Sequence, residues 1–241
     1  MEKVVLGSAA RATANSLREE ILRRNKSDDF LGSEDELIER LGVSRPTLRQ
    51  AARILEAEEL LVVKRGWNGG FFTRRPEASA VARIAGLFLR SEQTTFGDVW
   101  HTLAIVGAEA AKLAAANPDV EARRALVTLV TDAAPGEEGH DVVNHELARV
   151  RADFVRRIVA LVPSATLQLV VAILSETTRT SSASRWFMDK EHQEFTYEYL
   201  EKVARAIANG YGDAASRHYL KFADEAASRF PMLMNDIVSP N

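Results

Sequence analysis

The sequence predicts a mainly α-helical protein in two parts, three helices with a β-hairpin followed by an all-α bundle. Apolar residues recur at helical spacing along almost the whole chain. Segments rich in β-formers, separated by a glycine-rich turn, occur between residues 60 and 74. The predicted boundaries are 1–75 for the first domain, 76–80 for a linker, 81–232 for the bundle and 233–241 for a tail.

The composition is that of a globular protein. The chain has 241 residues, of which 46% are hydrophobic and 27% are charged, and this length suggests one or two domains. No stretch approaches the roughly 18 apolar residues of a membrane span, and the N-terminus lacks the apolar segment of a secretory signal. Because there is no cysteine, disulfides and thiolate metal sites are excluded. We expect a cytoplasmic protein with no membrane partner.

Charge is distributed unevenly along the chain. The formal net charge is −3, but residues 1–76 carry a small excess of Lys and Arg, and the remainder carries an excess of Asp and Glu. A basic N-terminal part followed by an acidic remainder is compatible with a nucleic-acid contact confined to one end of the protein.

The first two helices have clear end signals. The first is predicted from Ala9 to Arg24 and ends at the polar run NKSDD. The second begins after Ser33, and Glu36 three residues later completes a capping-box pattern. It ends at Gly42, because glycine favours the left-handed conformation that closes helices.

The third helix and the hairpin follow at once. Ser44 caps the helix, and Pro46 lies in its first turn, where a missing N–H costs nothing. The segments LLVVK and GFFTR are predicted strands joined by the turn RGWNGG. Three helices and a β-hairpin form a winged helix-turn-helix. Its capped helix presents hydroxyls, arginines and free N–H groups to phosphates and base edges, so the sequence predicts a DNA-binding domain.

Helical periodicity returns after the linker in about seven segments. Turn signals such as NPD, APGEEG, VPS and NGYGD separate them. The arrangement predicts an all-α bundle. Its helices are expected over residues 80–90, 96–116, 120–133, 141–161, 165–181, 189–209 and 213–230.

The residues of the first domain carry a family likeness. The stretch LGSEDELIERLGVSRPTLRQAARILEAEELLVVKRGWNGGFF resembles, element by element, the DNA-binding domain of the GntR family of bacterial repressors and activators. More loosely, VWHTLAIVGAEAAKLAAA, DFVRRIVALVPSATLQLVVAIL and GDAASRHYLKFADEAASRF resemble helices of the FadR-type ligand-binding domain, the FCD domain. The resemblance implies a homodimeric transcriptional regulator that binds a pseudo-palindromic operator and a small-molecule effector.

The DNA contacts are predicted from the capped helix, the wing and the family pattern together. The alternative for each residue is an ordinary solvated surface group. Asp35 stands where GntR domains usually carry an arginine that helps to read DNA, and Gly32 replaces the usual proline, so we expect an altered operator preference. Trp67 in the wing has three open roles, in the core, on DNA or against the helical domain. The predicted contacts are Ser33, Ser44, Arg45, Thr47, Arg49, Lys64, Arg65 and Gly66.

The family pattern also bears on metal binding. Many FadR-type domains hold a divalent metal with an Asp and a His four residues apart on one helix, plus two further histidines. The later histidines match His192 and His218, but Arg151 and Val155 replace the helical pair. The motif HDVVNH has the same spacing, yet ten residues place it about 15 Å further along the helix. We expect no metal and no other cofactor.

The metal-free pattern resembles the fatty-acid-responsive branch of the family, which binds acyl-CoA thioesters. The resemblance implies an effector site at Arg151, Val155, His192 and His218, with an acyl-CoA or other fatty-acid-derived ligand, and a buried arginine requires an anion. The alternative effector is a small carboxylate sensed through a metal on His192 and His218. The expected apolar wall comprises Phe154, Ile158, Leu169, Ile173, Trp186, Phe187, Phe195 and Tyr199.

Two other classes of function compete with a regulator. A hydrolase with a metal on His192 and His218 would lack a third ligand, a carboxylate base and a nucleophile motif such as G-x-S-x-G. An architectural protein that binds DNA without an effector would not need a large helical domain with an inward-facing arginine. We therefore expect no catalytic residue.

Overall fold

The computed structural model describes residues 2–66, 69–133, 143–178 and 190–238. By its internal contacts the chain divides into two compact units, Met1–Ala80 and Val81–Asn241. Trp67, Trp186 and Phe187 lie outside the described residues, and their roles stay predictions.

The first unit has the predicted three helices, although the first begins at Glu2 and not at Ala9. The end signals of the second and third act as expected. Ser33 caps the second helix in a complete capping box with Glu36, and Gly42 closes it with a φ of 64°. Ser44 caps the third helix, with Pro46 in the first turn. The elements are α1 (Glu2–Arg24), β1 (Phe30–Gly32), α2 (Glu34–Leu41), α3 (Arg45–Ala57), β2 (Leu61–Lys64) and β3 (Gly70–Thr73).

The small sheet contains one strand more than the sequence predicts. Its order is β1-β3-β2, with both pairs antiparallel and Val62 opposite Phe72 in the hairpin. Strand β1 has only three residues, too few to show a period of two. The glycine at position 70 of β3 allows β1 to approach this closely, because a β-carbon on Gly70 would lie 2.5 Å from the Phe30 ring. Leu31 and Phe71 join the helices in the core of this unit.

The second unit is the predicted helical bundle. Each expected segment forms a helix within a few residues of its predicted ends, and none of the described helices is both long and apolar enough to span a membrane. The helices are α4 (Ala78–Ser91), α5 (Phe96–Ala115), α6 (Val120–Asp132), α7 (Val143–Ala160), α8 (Ala165–Thr177), α9 (Lys190–Ala208), α10 (Gly212–Arg229) and α11 (Pro231–Met234).

Residues expected in a tail are packed against the start of α5. Leu233 in the short helix α11 is buried, and so is Val238. The Phe96 amide donates to the Asp236 carbonyl at 2.7 Å, and the Val238 amide donates to the Thr94 carbonyl at 3.1 Å. The described part of the segment beyond residue 232 therefore belongs to the bundle.

Helix α5 lies at the centre of the bundle. It contacts α7, α8, α9, α10 and α11, and one face of it is lined by small and aromatic residues. Glycine allows the closest approach to α10, because a β-carbon on Gly212 would lie 2.9 Å from the Lys112 carbonyl oxygen. The Arg123 guanidinium donates to the carbonyls of Ala115 and Ile207. It thereby provides hydrogen-bond donors for carbonyl groups in the last turns of α5 and α9, which lack partners within their helices.

Candidate DNA-binding face and effector cavity

The N-terminus of α3 is formed by its N-cap residue, Ser44. The Ser44 hydroxyl accepts from the Thr47 amide at 3.4 Å and lies 2.8 Å from the Thr47 hydroxyl. Thr47 is only 4% exposed. Its side chain therefore supports the helix start, and this placement does not favour the DNA contact predicted for it. Ser44 remains at the surface.

Arg45 and Arg49 are exposed on the first turns of α3, as a DNA contact requires. Each is paired with a carboxylate from the start of α2. The Arg45 Nη2 atom lies 2.6 Å from Asp35 Oδ1, while Arg49 donates to both oxygens of Glu34, at 2.6 and 3.2 Å. The hydrogen bond from Arg49 lowers the pKa of Glu34, so this carboxylate is ionised at neutral pH.

Ser33 is engaged within its own helix cap. Its hydroxyl donates to Glu36 Oε2 at 2.9 Å and accepts from the Glu36 amide at 3.4 Å. The bonds that Glu36 accepts from the Ser33 amide and hydroxyl lower the pKa of the Glu36 carboxyl. The predicted contact of Ser33 with DNA would have to compete with these bonds.

The wing carries exposed basic residues at the end of β2. Lys64 donates to Asp28 Oδ1 at 3.1 Å, and its ammonium lies 4.3 Å from the centre of the Phe72 ring. Arg65 is exposed beside it. Gly66 has a φ of 106°, a conformation that favours glycine. The structure thus brings the predicted basic residues of α3 and the wing into one unit.

A cavity lies among four helices of the second unit. Its enclosed volume is about 20 Å³, and the space between atoms amounts to about 440 Å³ when the part open to solvent is included. Helices α5, α7, α9 and α10 each provide part of its wall. The wall is apolar apart from one guanidinium, one indole and two phenols, and it consists of Trp100, Leu103, Ala104, Arg151, Phe154, Val155, Tyr199, Leu200, Val203, Tyr219, Phe222 and Ala223.

Arg151 is the charged residue of this wall. Its guanidinium carbon lies 5.6 Å from the centre of the Trp100 ring, and its Nε atom is enclosed without a hydrogen-bond partner among the described residues. Burial lowers the pKa of Arg151, while the nearby Tyr219 phenol raises it by a smaller amount. Burial likewise raises the pKa of Tyr219. No Asp or Glu is among the described residues of the wall.

The four predicted effector residues are only partly brought together. Arg151 and Val155 line the cavity, but His192 and His218 are not among the residues of its described wall. His192 instead packs on the Phe230 ring, with ring centres 4.4 Å apart. Their part in binding stays a prediction. Of the expected apolar wall, Phe154 and Tyr199 line the cavity, Ile158 and Phe195 are buried in the core, Ile173 is partly buried and Leu169 is exposed.

Sequence reasoning missed the residues that face Arg151. Trp100 lies in α5, and its indole Nε1 donates to the Ala223 carbonyl at 3.0 Å. Tyr219 lies next to His218 in α10. The sequence does place Trp100, Leu103 and Ala104 on one face of a helix. This spacing predicts that the face is buried, but it does not distinguish a cavity wall from a packed core.

The metal implied by the family resemblance does not fit these residues. Within the described ranges, no three His, Cys, Asp or Glu side chains come close enough together to hold a metal ion. The cavity wall instead carries the Arg151 cation, which would repel a divalent ion.

A solved structure shares the fold. This structure, from Streptococcus agalactiae and described as GntR, matches with a TM-score of 0.70 and 20% identity, covering 91% of this chain and 99% of its own. A Listeria monocytogenes structure, described as Lar, which controls expression of the agr system, has a TM-score of 0.46 and 17% identity, with 93% and 97% covered. A GntR-family regulator from Pseudomonas syringae has a TM-score of 0.42 and 19% identity, with 93% and 86% covered.

Family models identify both units. No curated protein matches the sequence. The model of bacterial regulatory proteins of the gntR family matches residues 9–72, which include α2, α3 and most of the wing. The FCD domain model matches residues 98–222, more than half of the chain, including the cavity wall up to Phe222. The chain therefore belongs to the gntR family of bacterial regulatory proteins, as a transcriptional regulator with an FCD effector-binding domain.

Proposed function

We propose that this regulator acts in the cytoplasm as a homodimer on a pseudo-palindromic operator, and that a small carboxylate in the FCD cavity controls its operator affinity. The observation that carries the effector class is Arg151, a partly buried arginine whose Nε atom is enclosed and which has no carboxylate beside it in the described cavity wall. A two-fold dimer places two copies of α3 on two half-sites of DNA.

The DNA contacts are assigned to the start of α3 and to the wing. Arg45 and Arg49 have side chains that are 53% and 62% exposed, and the amides at the helix start add positive potential for phosphates. The wing supplies a basic turn that contacts the neighbouring phosphate backbone of the DNA. This turn consists of Lys64, Arg65 and Gly66. Thr47 is assigned to the helix cap because it is buried.

Operator binding is tested with the full-length protein. An operator is first selected from a random duplex library, and fluorescence anisotropy then gives the affinity at a fixed salt concentration. Arg45→Ala and Arg49→Ala should each weaken binding by about 1–3 kcal/mol. Arg53→Ala, an exposed arginine further along α3, is the control and should change affinity less. Unchanged affinity in both test variants would contradict the assignment.

The free-energy cost of holding the Arg151 cation without a counter-charge favours an anionic effector. A cation held in an apolar wall without a counter-charge is expensive, and a ligand carboxylate would offset that cost with charge-assisted hydrogen bonds. The rest of the wall suits an apolar ligand body. A fatty-acid-derived acid combines these two features.

Two finer alternatives fit the cavity less well. The thioester carbonyl of an acyl-CoA is neutral, so burying it beside Arg151 would leave the guanidinium without a counter-charge among the described residues of the wall. A small carboxylate held through a metal on His192 and His218 would place the metal outside the described wall.

Native mass spectrometry of the purified protein is the first test, because it weighs the assembly and any bound molecule together. Calorimetry then compares octanoate, octanamide and octanoyl-CoA. Octanoate should bind about tenfold or more tightly than the neutral amide. Equal binding of the two, or a stoichiometric metal that is required for binding, would contradict the proposal.

Variants separate the charge from the cavity shape. Arg151→Met should abolish the preference for octanoate while stabilising the ligand-free protein, because it removes a partly buried charge that has no carboxylate beside it in the described wall. Arg157→Met, an exposed arginine on the same helix, should leave binding unchanged. If octanoate controls operator affinity, the two binding events should be coupled by about 1–3 kcal/mol.

A further inference from the structure

The start of α2 places two carboxylates against the two arginines of α3. Asp35 Oδ1 lies 2.6 Å from Arg45 Nη2, and Glu34 accepts two bonds from Arg49. With these residues ionised, the cluster has no net charge. A face that binds a polyanion normally carries an excess of positive charge. Affinity for DNA therefore does not account for the acidic pair.

Stability does not account for Asp35 either. Its side chain is 84% exposed and that of Arg45 is 53% exposed, and exposed ion pairs contribute little to folding. The cap of α2 is already made by Ser33 and Glu36. Asp35 is one of three acidic residues in the first turn of α2, beside Glu34 and Glu36, so the favourable interaction with the helix N-terminus does not depend on it alone. It presents an exposed negative charge next to an arginine of the proposed DNA-binding face.

The major groove offers few partners for a carboxylate. Guanine presents only acceptors there, and adenine presents an acceptor beside its amino group, whereas cytosine presents the N4 amino donor. Arginine is the usual partner of guanine O6 and N7. Asp35 and Arg45 are in hydrogen-bond contact, so a groove that received one of these side chains would also receive the other.

We propose that Asp35 determines base specificity: Arg45 binds a guanine while Asp35 accepts a hydrogen bond from the N4 amino group of a cytosine in a neighbouring base pair. This inference rests on the operator binding proposed above. The proposal explains why an acidic residue lies on the DNA-binding face. The carboxylate weakens the attraction to every phosphate, but it forms a favourable hydrogen bond with one base only.

The test uses the full-length protein and the selected operator. Four duplexes carry each of the four bases in turn at the proposed cytosine position, and anisotropy at one fixed salt concentration measures their affinities. The wild type should prefer cytosine about tenfold. Asp35→Ala should bind the four duplexes within about twofold of one another. Asp35→Asn should shift the preference towards adenine, because asparagine pairs with adenine N6 and N7.

A matched control separates base reading from simple charge. Glu19→Gln removes one exposed negative charge from α1 and should keep the wild-type base preference. A uniform gain of affinity in Asp35→Ala, with the preference for cytosine unchanged, would overturn the inference alone. Failure of the wild type to select any sequence would overturn the operator proposal and this inference with it.

Discussion

The ring of Tyr219 fills the space that a β-carbon on Gly107 would occupy. Such an atom would lie 2.5 Å from the ring carbon Cζ and 2.6 Å from the hydroxyl oxygen. Gly107 is buried in α5, and Tyr219 reaches the cavity wall from α10. The absence of a side chain on Gly107 therefore leaves room for the phenol in the cavity wall.

Gly107→Ala should destabilise the second unit. Alanine favours a helix by about 1 kcal/mol over glycine, but the overlap with Tyr219 should cost about 1–3 kcal/mol, and the packing cost should prevail. Urea denaturation followed by circular dichroism measures the change. Gly7→Ala, with no atom within 4 Å of the added carbon, is the control and should not destabilise.

A second variant tests the cause of that loss. Combining Gly107→Ala with Tyr219→Leu should restore part of the stability, so the two changes should not be additive. Additive losses would show that the ring is not the obstacle.

Acid should weaken the second unit through His218. Burial lowers the pKa of this imidazole, and the nearby Lys202, Arg217 and Lys221 lower it further. The unfolded chain keeps a pKa near 6.5 and so takes up a proton first as the pH falls. Stability is therefore complete above the unfolded pKa and is lost as the pH falls below it.

The measurement compares unfolding by urea at pH 7.5 and pH 5.5, above the range in which carboxylates with lowered pKa titrate. The wild type should be less stable at pH 5.5, and His218→Gln should show a smaller difference between the two conditions. An unchanged pH dependence in the variant would refute a role for His218.

The segment after α10 should contribute to stability. Leu233 is 7% exposed, whereas its neighbour Met232 is 83% exposed. Leu233→Ala should cost about 2 kcal/mol or more, while Met232→Ala, in the same short helix, should cost almost nothing. Thermal unfolding of both variants provides the comparison. Similar values for the two would indicate that α11 is not part of the folded bundle.

The capping box of α2 should be measurable locally. Ser33→Ala removes the hydroxyl that accepts from the Glu36 amide and should cost about 1 kcal/mol. Amides of α2 should then exchange hydrogen faster in the full-length protein. Ser33→Thr keeps a hydroxyl and should exchange nearly as slowly as the wild type. Equal exchange in all three proteins would contradict the role of the cap.

Features encoded by neighbouring residues could be predicted from the sequence. Ser33, Glu36 and Gly42 bound α2 as expected, because caps act over three or four residues. The apolar faces of the longer helices likewise predicted the bundle. The DNA-binding unit was predictable because its caps, helix faces and hairpin turn follow one another within a short stretch.

Features that depend on distant residues could not be predicted. The pairing of Asp35 with Arg45 joins two helices across the turn, and no periodic pattern marks it. The burial of Thr47, the short strand β1 and the packing of Val238 also arise from tertiary contacts. The cavity is the clearest case, since its wall combines residues from α5, α7, α9 and α10.

The position of Trp100 gives the protein an optical reporter of its own state. The emission of an indole responds to nearby charge and polarity, and this indole lies in the cavity wall beside the Arg151 guanidinium. The chain has three tryptophans, so replacing Trp67 and Trp186 with phenylalanine would leave Trp100 as the single fluorophore. Occupancy of the cavity could then be followed by intrinsic fluorescence, without a label, while the protein is on or off DNA.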